Sequence, residues 1–328
     1  MKGLKYCWSV SLVLLLISCS GKSVQEQNNQ DVLSQVATMD KEADPSNLTN
    51  GSQKFPFPEI PVVLVQSDER KKFLLEHYWD RFNFADTALV NNRDLSEQGL
   101  ANQLSLLADK MTGEGLITKS IDNLCTGMEQ QEYACKIFMD WIEDYLYNAN
   151  SPFCNESIYR IYLQRMLMSK TLDEARKSSL KFQLELINRN QVGREAETFI
   201  YYLPDNTQSS LDRTLLRGGY LLLLFYDPKC TGCHEVLKDM ANDRELAAAV
   251  AEGRLTVLAV YTEDNEEIWK RTLTDMPKNW LVARDRQTVK ENALYDLKAM
   301  PSLYLLDNHK KVILKDTSYK VIKEYLGI

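Results

Sequence analysis

The 328-residue chain holds three histidines and 13 glycines, and both shortages narrow its chemistry. Three histidines, with no second C-x-x-C pair, cannot complete the usual tetrahedral zinc site, so zinc is set aside. No glycine-rich phosphate loop appears in the N-terminal half, and no G-x-S-x-G elbow supports a serine hydrolase. Basic clusters are missing too. The formal charge of −7 falls to −9 without the first 18 residues, which hold Lys2, Lys5 and no acid. That balance leaves no electrostatic footprint for nucleic acid. Nor is the apolar run Tyr6–Ile17 long enough to cross a hydrocarbon layer of about 30 Å as a permanent helix. What remains is an ordinary globular mixture, 44% hydrophobic and 26% charged. Its length has room for about two domains of roughly 150 residues.

The N-terminus combines a lysine-containing start, a short apolar middle and small residues, the pattern of a secretory signal. Its ending, Leu16-Ile17-Ser18-Cys19, resembles the lipobox of bacterial lipoproteins. The resemblance implies a signal peptide over 1–18 and a lipidated Cys19 as the first mature residue, anchoring the chain to a membrane. An ordinary signal with a chance cysteine is the plainer alternative. Ser20 offers no obvious inner-membrane retention signal, so the expected place is the outer membrane, facing the periplasm. Seven cysteines then reduce to five with free thiol chemistry, since Cys7 leaves and Cys19 carries lipid. Disulfides persist in such a compartment, and an odd number leaves at least one thiol free.

From Cys19 to Lys54 the chain is rich in Gln, Asn, Asp and Ser, and reads as a flexible tether. "FPFPEIP" (Phe55–Pro61) ends it with three prolines that impose an extended path. Residues 55–190 read as an all-α domain of five or six helices. "DERKKFLLEHYWDRF" puts Phe73, Leu74, His77 and Tyr78 on one side at helical spacing. "SEQGLANQLSLLADKM" does the same with Leu100, Leu104, Leu107 and Met111, with Ser96 as cap. Further helices are expected near 117–130, 131–147, 156–169 and 172–189.

Residues 193–328 alternate between strands and helices, which predicts an α/β domain with a central mixed sheet flanked by helices. Strands are expected at 198–203, 219–226, 254–261, 279–284, 302–307 and 311–316, the last two as a hairpin across "NHK". "GYLLLLFY" (219–226) is a continuous apolar run, as a strand covered on both faces requires. Helices should run from about Cys230 to Ala251, through "NEEIWKRTL", over 290–297, and at the C-terminus.

"YDPKCTGCHEV" follows that buried strand, and Cys230-Thr231-Gly232-Cys233-His234 fits two patterns. One is the C-x-x-C-H of covalent haem attachment, for which Met240, Met276 or Met300 would be the distal ligand. The other is a redox dithiol at a helix start. A buried strand before the motif and an α/β pattern after it favour the dithiol. Unpaired N–H groups at a helix N-terminus stabilise a thiolate, so Cys230 is the expected nucleophile. Cys233 is spaced to resolve the mixed disulfide. Thr231 and Gly232 are small enough to leave the first sulfur open. Lys229 and a charged His234 would favour the thiolate, although His234 is also simply a first-turn helix residue.

On these residues the C-terminal half resembles the thioredoxin-like superfamily, in its membrane-tethered envelope branch. The resemblance implies a thiol–disulfide oxidoreductase, a reductase more than an oxidant, with no cofactor beyond a Cys230–Cys233 disulfide. It further implies a cis-proline loop at Met300-Pro301 in "LKAMPSLYLLD", where substrate backbone would dock. "VGREAETF" matches the family's entry segment at Gly193, Ala196 and Phe199. The implied partners are disulfide-containing envelope proteins and a membrane electron donor. Two positions depart from the family: the tryptophan before the dithiol is Lys229, and the buried acid six residues before Cys230 is Leu224. Cys233 then lacks the usual internal base, leaving Glu235 or water. "FPFPEIP", "EHYWDRFNFADT" and "YLYNANSPF" make the helical half similar to a domain of unknown function that precedes thioredoxin-like domains in lipoproteins of the Bacteroidota. A rival reading is a non-catalytic binding or assembly module on the same fold. Cys125, Cys135 and Cys154 read by default as small buried apolar residues. A Cys125–Cys135 disulfide, with Cys154 then free, stays open as a pairing.

Overall fold

Helix caps and apolar stripes divide the helical half as the spacing predicts, with local corrections. The computed structural model describes residues 54–328. The signal peptide, Cys19 and the tether through residue 53 lie outside the described residues. Seven helices precede the first described strand: α1 Ser67–Glu76, α2 Thr87–Asn91, α3 Arg93–Leu107, α4 Glu114–Met128, α5 Glu132–Leu146, α6 Glu156–Leu167 and α7 Glu174–Asn188. Asp86, Asn155 and Asp173 open α2, α6 and α7 by accepting first-turn amides, which satisfies donors that the helix itself cannot. Leu100, Leu104 and Leu107 are buried as expected, but Met111 lies past the end of α3 and is exposed. Ser96 is not a cap. It sits inside α3, fully buried, and its hydroxyl donates to the Leu89 carbonyl at 2.6 Å. Helix α1 stops at Glu76, so Tyr78, Trp79 and Phe82 enter the core from turns rather than from a longer helix.

"FPFPEIP" has a packing role. The Phe55 ring lies 5.2 Å from both Tyr78 and Trp79 and directly over the backbone of Gly99, where a Cβ would overlap it. Gly99→Ala is therefore expected to destabilise the chain by about 1–3 kcal/mol through overpacking, despite the better helix propensity of alanine. Gly115, with open space around it, supplies the control, and alanine there should be neutral or stabilising by up to about 1 kcal/mol. Denaturant unfolding of the two variants checks the contrast; equal effects would refute it.

The second half is a seven-stranded mixed sheet in the order β2-β1-β5-β4-β3-β6-β7. The strands are β1 Ile200–Tyr202, β2 Gln208–Ser210, β3 Tyr220–Tyr226, β4 Leu255–Tyr261, β5 Leu281–Arg284, β6 Ser302–Asp307 and β7 Val312–Leu314. Central β3 runs parallel to β4 and antiparallel to β6, with Phe225 opposite Ser302. Its side chains alternate between two cores, as the unbroken apolar run requires. Leu222, Leu224 and Tyr226 pack with Cys233, Met240, Trp269 and Ile322. Leu221, Leu223 and Phe225 pack with Phe199, Tyr295 and Tyr304. Polar β2 lies outside every expected strand, because an edge strand of Gln and Ser carries no apolar alternation to betray it.

Two predicted helices are rebuilt. The stretch from Cys230 to Ala251 is two helices, α8 Thr231–Asn242 and α9 Arg244–Ala251, broken at Asp243. The Asp243 carboxylate accepts from the amides of Glu245 and Leu246 and from Lys323 at 2.6 Å and Tyr319 at 3.0 Å. It thereby ties the helix pair to the terminal helix Tyr319–Leu326. Burial works against its ionisation, but Lys323 and the other donors hold it down at about 2. Over 290–297 only the turn Thr288–Glu291 is helical. The carbonyls of Asn292, Ala293 and Leu294 are taken instead by Arg189 and Asn190 at the end of the helical half.

Candidate functional site

Strand β3 ends at Tyr226, and Asp227-Pro228-Lys229 carries the chain to the first turn of α8. Cys230 is the N-cap of that helix, with extended backbone (φ −86°, ψ 121°), and its Sγ accepts from the Cys233 amide at 3.4 Å. A sulfur thus stands where a capping oxygen would, facing the unpaired amides and the positive end of the helix dipole. The same thiol donates to the Met300 carbonyl at 3.3 Å. Met300-Pro301 is a cis peptide bond, placed just ahead of β6 by the antiparallel pairing with β3. The sequence thus put both halves of this contact where the fold brings them together.

The two thiols differ sharply. Cys230 is half-exposed, whereas Cys233 has no exposed surface and belongs to the core beneath the sheet. Burial pushes the Cys233 thiol up to about 12, and the nearby Cys230 and Asp227 push the same way. The Asp227 amide, donating to Cys233 Sγ at 3.5 Å, offsets part of this. Both sulfurs are free thiols. A side chain at position 232 would meet the Met300 carbonyl and Cys230 Sγ at 3.6 and 3.9 Å, ordinary contact distances. Gly232 therefore keeps the entrance between the dithiol and the Met300 loop open rather than relieving a clash.

Lys229, His234 and Glu235 are all exposed. Lys229 acts electrostatically on Glu263. His234 lines a groove of about 360 Å³ beside the dithiol helix, together with Tyr226, Pro228, Leu237 and Met276. Leu224, which stands in the position of the family's acid, is fully buried among apolar side chains. The acid in electrostatic reach of Cys233 is Asp227, which the sequence reading passed over. Its signal was its place in the three-residue link between a buried strand and the dithiol, where a charge cannot be remote from the sulfurs.

The other three cysteines among the described residues are also free. The Cys125–Cys135 pairing left open by the sequence is not formed: both are buried, and Cys135 Sγ lies 3.7 Å from Met139 Sδ. Burial raises the thiol pKa of both. Cys154 is exposed.

Residues 18–190 match the model of a domain of unknown function, DUF5106. A thioredoxin-like protein from Bacteroides caccae is similar at 34% identity and a TM-score of 0.73, over 84% of this chain and 99% of that one. A conserved protein of unknown function from Bacteroides fragilis is 36% identical over 42% of this chain and 98% of that one, with a TM-score of 0.39. The thioredoxin domain of a thiol-disulfide oxidoreductase from Bacteroides vulgatus is 18% identical over 41% of this chain and 97% of that one, at a TM-score of 0.35. No curated protein matches. With the dithiol at a helix start, the cis-proline loop against it and a full-length relative of the same build, the chain belongs to the thioredoxin-like proteins that carry an N-terminal DUF5106 domain.

Proposed function

We propose that the chain is a thiol–disulfide oxidoreductase, acting as a reductase of envelope proteins. The observation that carries this reading is the asymmetric dithiol: a half-exposed Cys230 capping a helix, a fully buried Cys233, and a backbone carbonyl 3.3 Å from the outer sulfur. Cys230, as thiolate, attacks one sulfur of a substrate disulfide. The S–S bond breaks, one substrate thiolate leaves, and a mixed disulfide with Cys230 forms. Cys233 then loses its proton and attacks Cys230 Sγ, releasing the second substrate thiolate and closing the Cys230–Cys233 disulfide. Two electrons pass to the substrate, and an external dithiol, fed by a membrane electron donor, restores the pair. The Met300 carbonyl, freed from the Cys230 thiol on ionisation, accepts a backbone N–H of an extended substrate.

Lipidation at Cys19 and an outer-membrane place facing the periplasm complete the proposal, supported by the N-terminal sequence. No described helix is long and apolar enough to cross a membrane. Reduction of insulin with a dithiol donor tests the function. Wild type should turn over, and Cys230→Ser should fall to the uncatalysed rate. Turnover that survived the substitution would defeat the reading, and wild type without any would favour a binding or assembly module.

A further inference from the structure

The Met300 carbonyl is only as well placed as the segment that carries it, and residues 292–301 contain neither helix nor strand. Tyr295 anchors the middle of this segment in the sheet core, with its hydroxyl donating to the Glu197 carbonyl at 2.8 Å, and the supports on either side of it come from the helical half. At the near end, Arg189 and Asn190 hold the carbonyls of Asn292, Ala293 and Leu294. At the far end, the Glu156 carboxylate at the start of α6 bridges two lysines. Oε1 accepts from Lys298 Nζ at 2.5 Å, and Oε2 accepts from Lys315 Nζ at 2.8 Å. Lys298 lies two residues before Met300. Lys315 follows β7, the strand paired with the β6 that leaves Pro301.

Both lysine side chains are nearly enclosed, 6% and 8% exposed. Lys298 also reaches Asp296 at 3.3 Å and stands 4.8 Å from the centre of the Tyr147 ring, whose hydroxyl donates to Asp296 at 2.9 Å. Lys315 donates as well to the Ile187 carbonyl at 2.8 Å. A half-buried carboxylate that satisfies two nearly enclosed ammonium groups, one on the loop and one just past the hairpin that follows it, fixes that loop more closely than apolar contact does. Hydrogen bonds to charged groups are short and directional, and leaving either lysine unpaired in the interior is costly.

We propose that the helical half is the positioning element of the redox site, with Glu156 acting through Lys298 and Lys315 to hold the Met300–Pro301 loop at docking distance from Cys230. This rests on the oxidoreductase reading above, and it gives the DUF5106 domain a role in recognising polypeptide disulfides. Glu156 touches neither substrate nor sulfur, so it is a positioning residue. A polypeptide substrate uses the loop's backbone as well as the thiol, whereas a small aromatic disulfide needs the thiol alone. Loosening the loop must therefore separate the two substrates.

The test compares wild type, Glu156→Gln and Glu156→Asp in the full chain. For insulin, Glu156→Gln should raise KM about tenfold with kcat within about twofold, the mark of lost binding rather than lost chemistry. The rate with a small aromatic disulfide should not change, and Glu156→Asp should recover part of the insulin KM. Amide hydrogen exchange should quicken at residues 298–303 and stay unaltered in the strands β4 and β5. An equal loss on both substrates, or no change on either, overturns the proposal. If Glu156→Gln does not fold, Lys315→Gln, which keeps the Lys298 pair, should show the same split at about threefold. Activity persisting in Cys230→Ser would instead strike at the oxidoreductase reading. In that event hydrogen exchange alone decides the clamp, and unchanged protection at 298–303 refutes it.

Discussion

Replacing Cys233 with serine should stop turnover and leave the chain covalently joined to its substrate. Cys230 retains all that the first step uses: its place at the helix start, its partial exposure and the Met300 carbonyl opposite. Among the described residues, no other cysteine lies on the dithiol helix to take over the second step. Cys125 and Cys135 are buried in the helical half, and Cys154 lies outside the dithiol helix. The serine hydroxyl can accept the Asp227 amide that Cys233 Sγ now accepts at 3.5 Å, so the local fold survives. As a nucleophile toward a disulfide, a hydroxyl is negligible beside a thiolate, and kcat should fall by roughly a thousandfold or more. Non-reducing electrophoresis should show an adduct heavier by one substrate chain, released by excess dithiothreitol and missing in the Cys230→Ser, Cys233→Ser double variant. Wild-type turnover in Cys233→Ser, or a lack of any adduct while Cys230 is intact, would mean that the resolving role is misassigned.

Much of this arrangement was legible in the sequence because it rests on local rules. A buried strand needs an unbroken apolar run, and Tyr220–Tyr226 has one. A C-x-x-C directly after it opens the next helix, whereas the place of the Met300-Pro301 loop beside it came from the resemblance to the thioredoxin-like superfamily and not from a local rule. Other features depend on contacts between residues distant in sequence, and these were not legible. The break at Asp243 arises because Lys323 and Tyr319 come in from the C-terminal helix and fix a carboxylate that local propensity would leave within one long helix. The lost helix at 290–297 has the same kind of cause, since Arg189 and Asn190 take its carbonyls. Ser96 looked like a cap until Leu89, seven residues earlier, proved to be its partner. The bridge from Glu156 to Lys298 and Lys315 spans more than 140 residues of chain, and no pattern within either segment announces it. The helical half carries no chemical motif for that reason: Glu156, Arg189 and Asn190 each hold partners more than 100 residues away, and only the folded chain shows them.

Alkylation should separate the two thiols of the C-x-x-C pair by several orders of magnitude. Iodoacetamide reacts with thiolates that it can reach, so its rate with each cysteine follows ionisation and exposure together. For Cys233 both are unfavourable: the thiol has no exposed surface and burial pushes it up to about 12. At pH 7.5 that leaves on the order of one molecule in 10⁴ to 10⁵ ionised. Cys230 is half-exposed and lies open at a helix N-terminus, so in the folded, reduced chain it should be modified at least about 10³-fold faster than Cys233. Peptide mapping after a timed pulse reads both rates at once, and Cys125 and Cys135, also buried with raised thiols, serve as internal references. The sign of the pH dependence is fixed as well. Labelling of Cys233 should climb close to tenfold per unit from pH 7 to 10, because that range lies below its own ionisation and each unit adds tenfold more thiolate. In guanidinium chloride, where burial is gone, Cys233 should label as readily as the other cysteines. Comparable rates for Cys230 and Cys233 in the native chain would mean that the second sulfur is not sequestered. The division into an attacking and a resolving cysteine would then lose its physical basis.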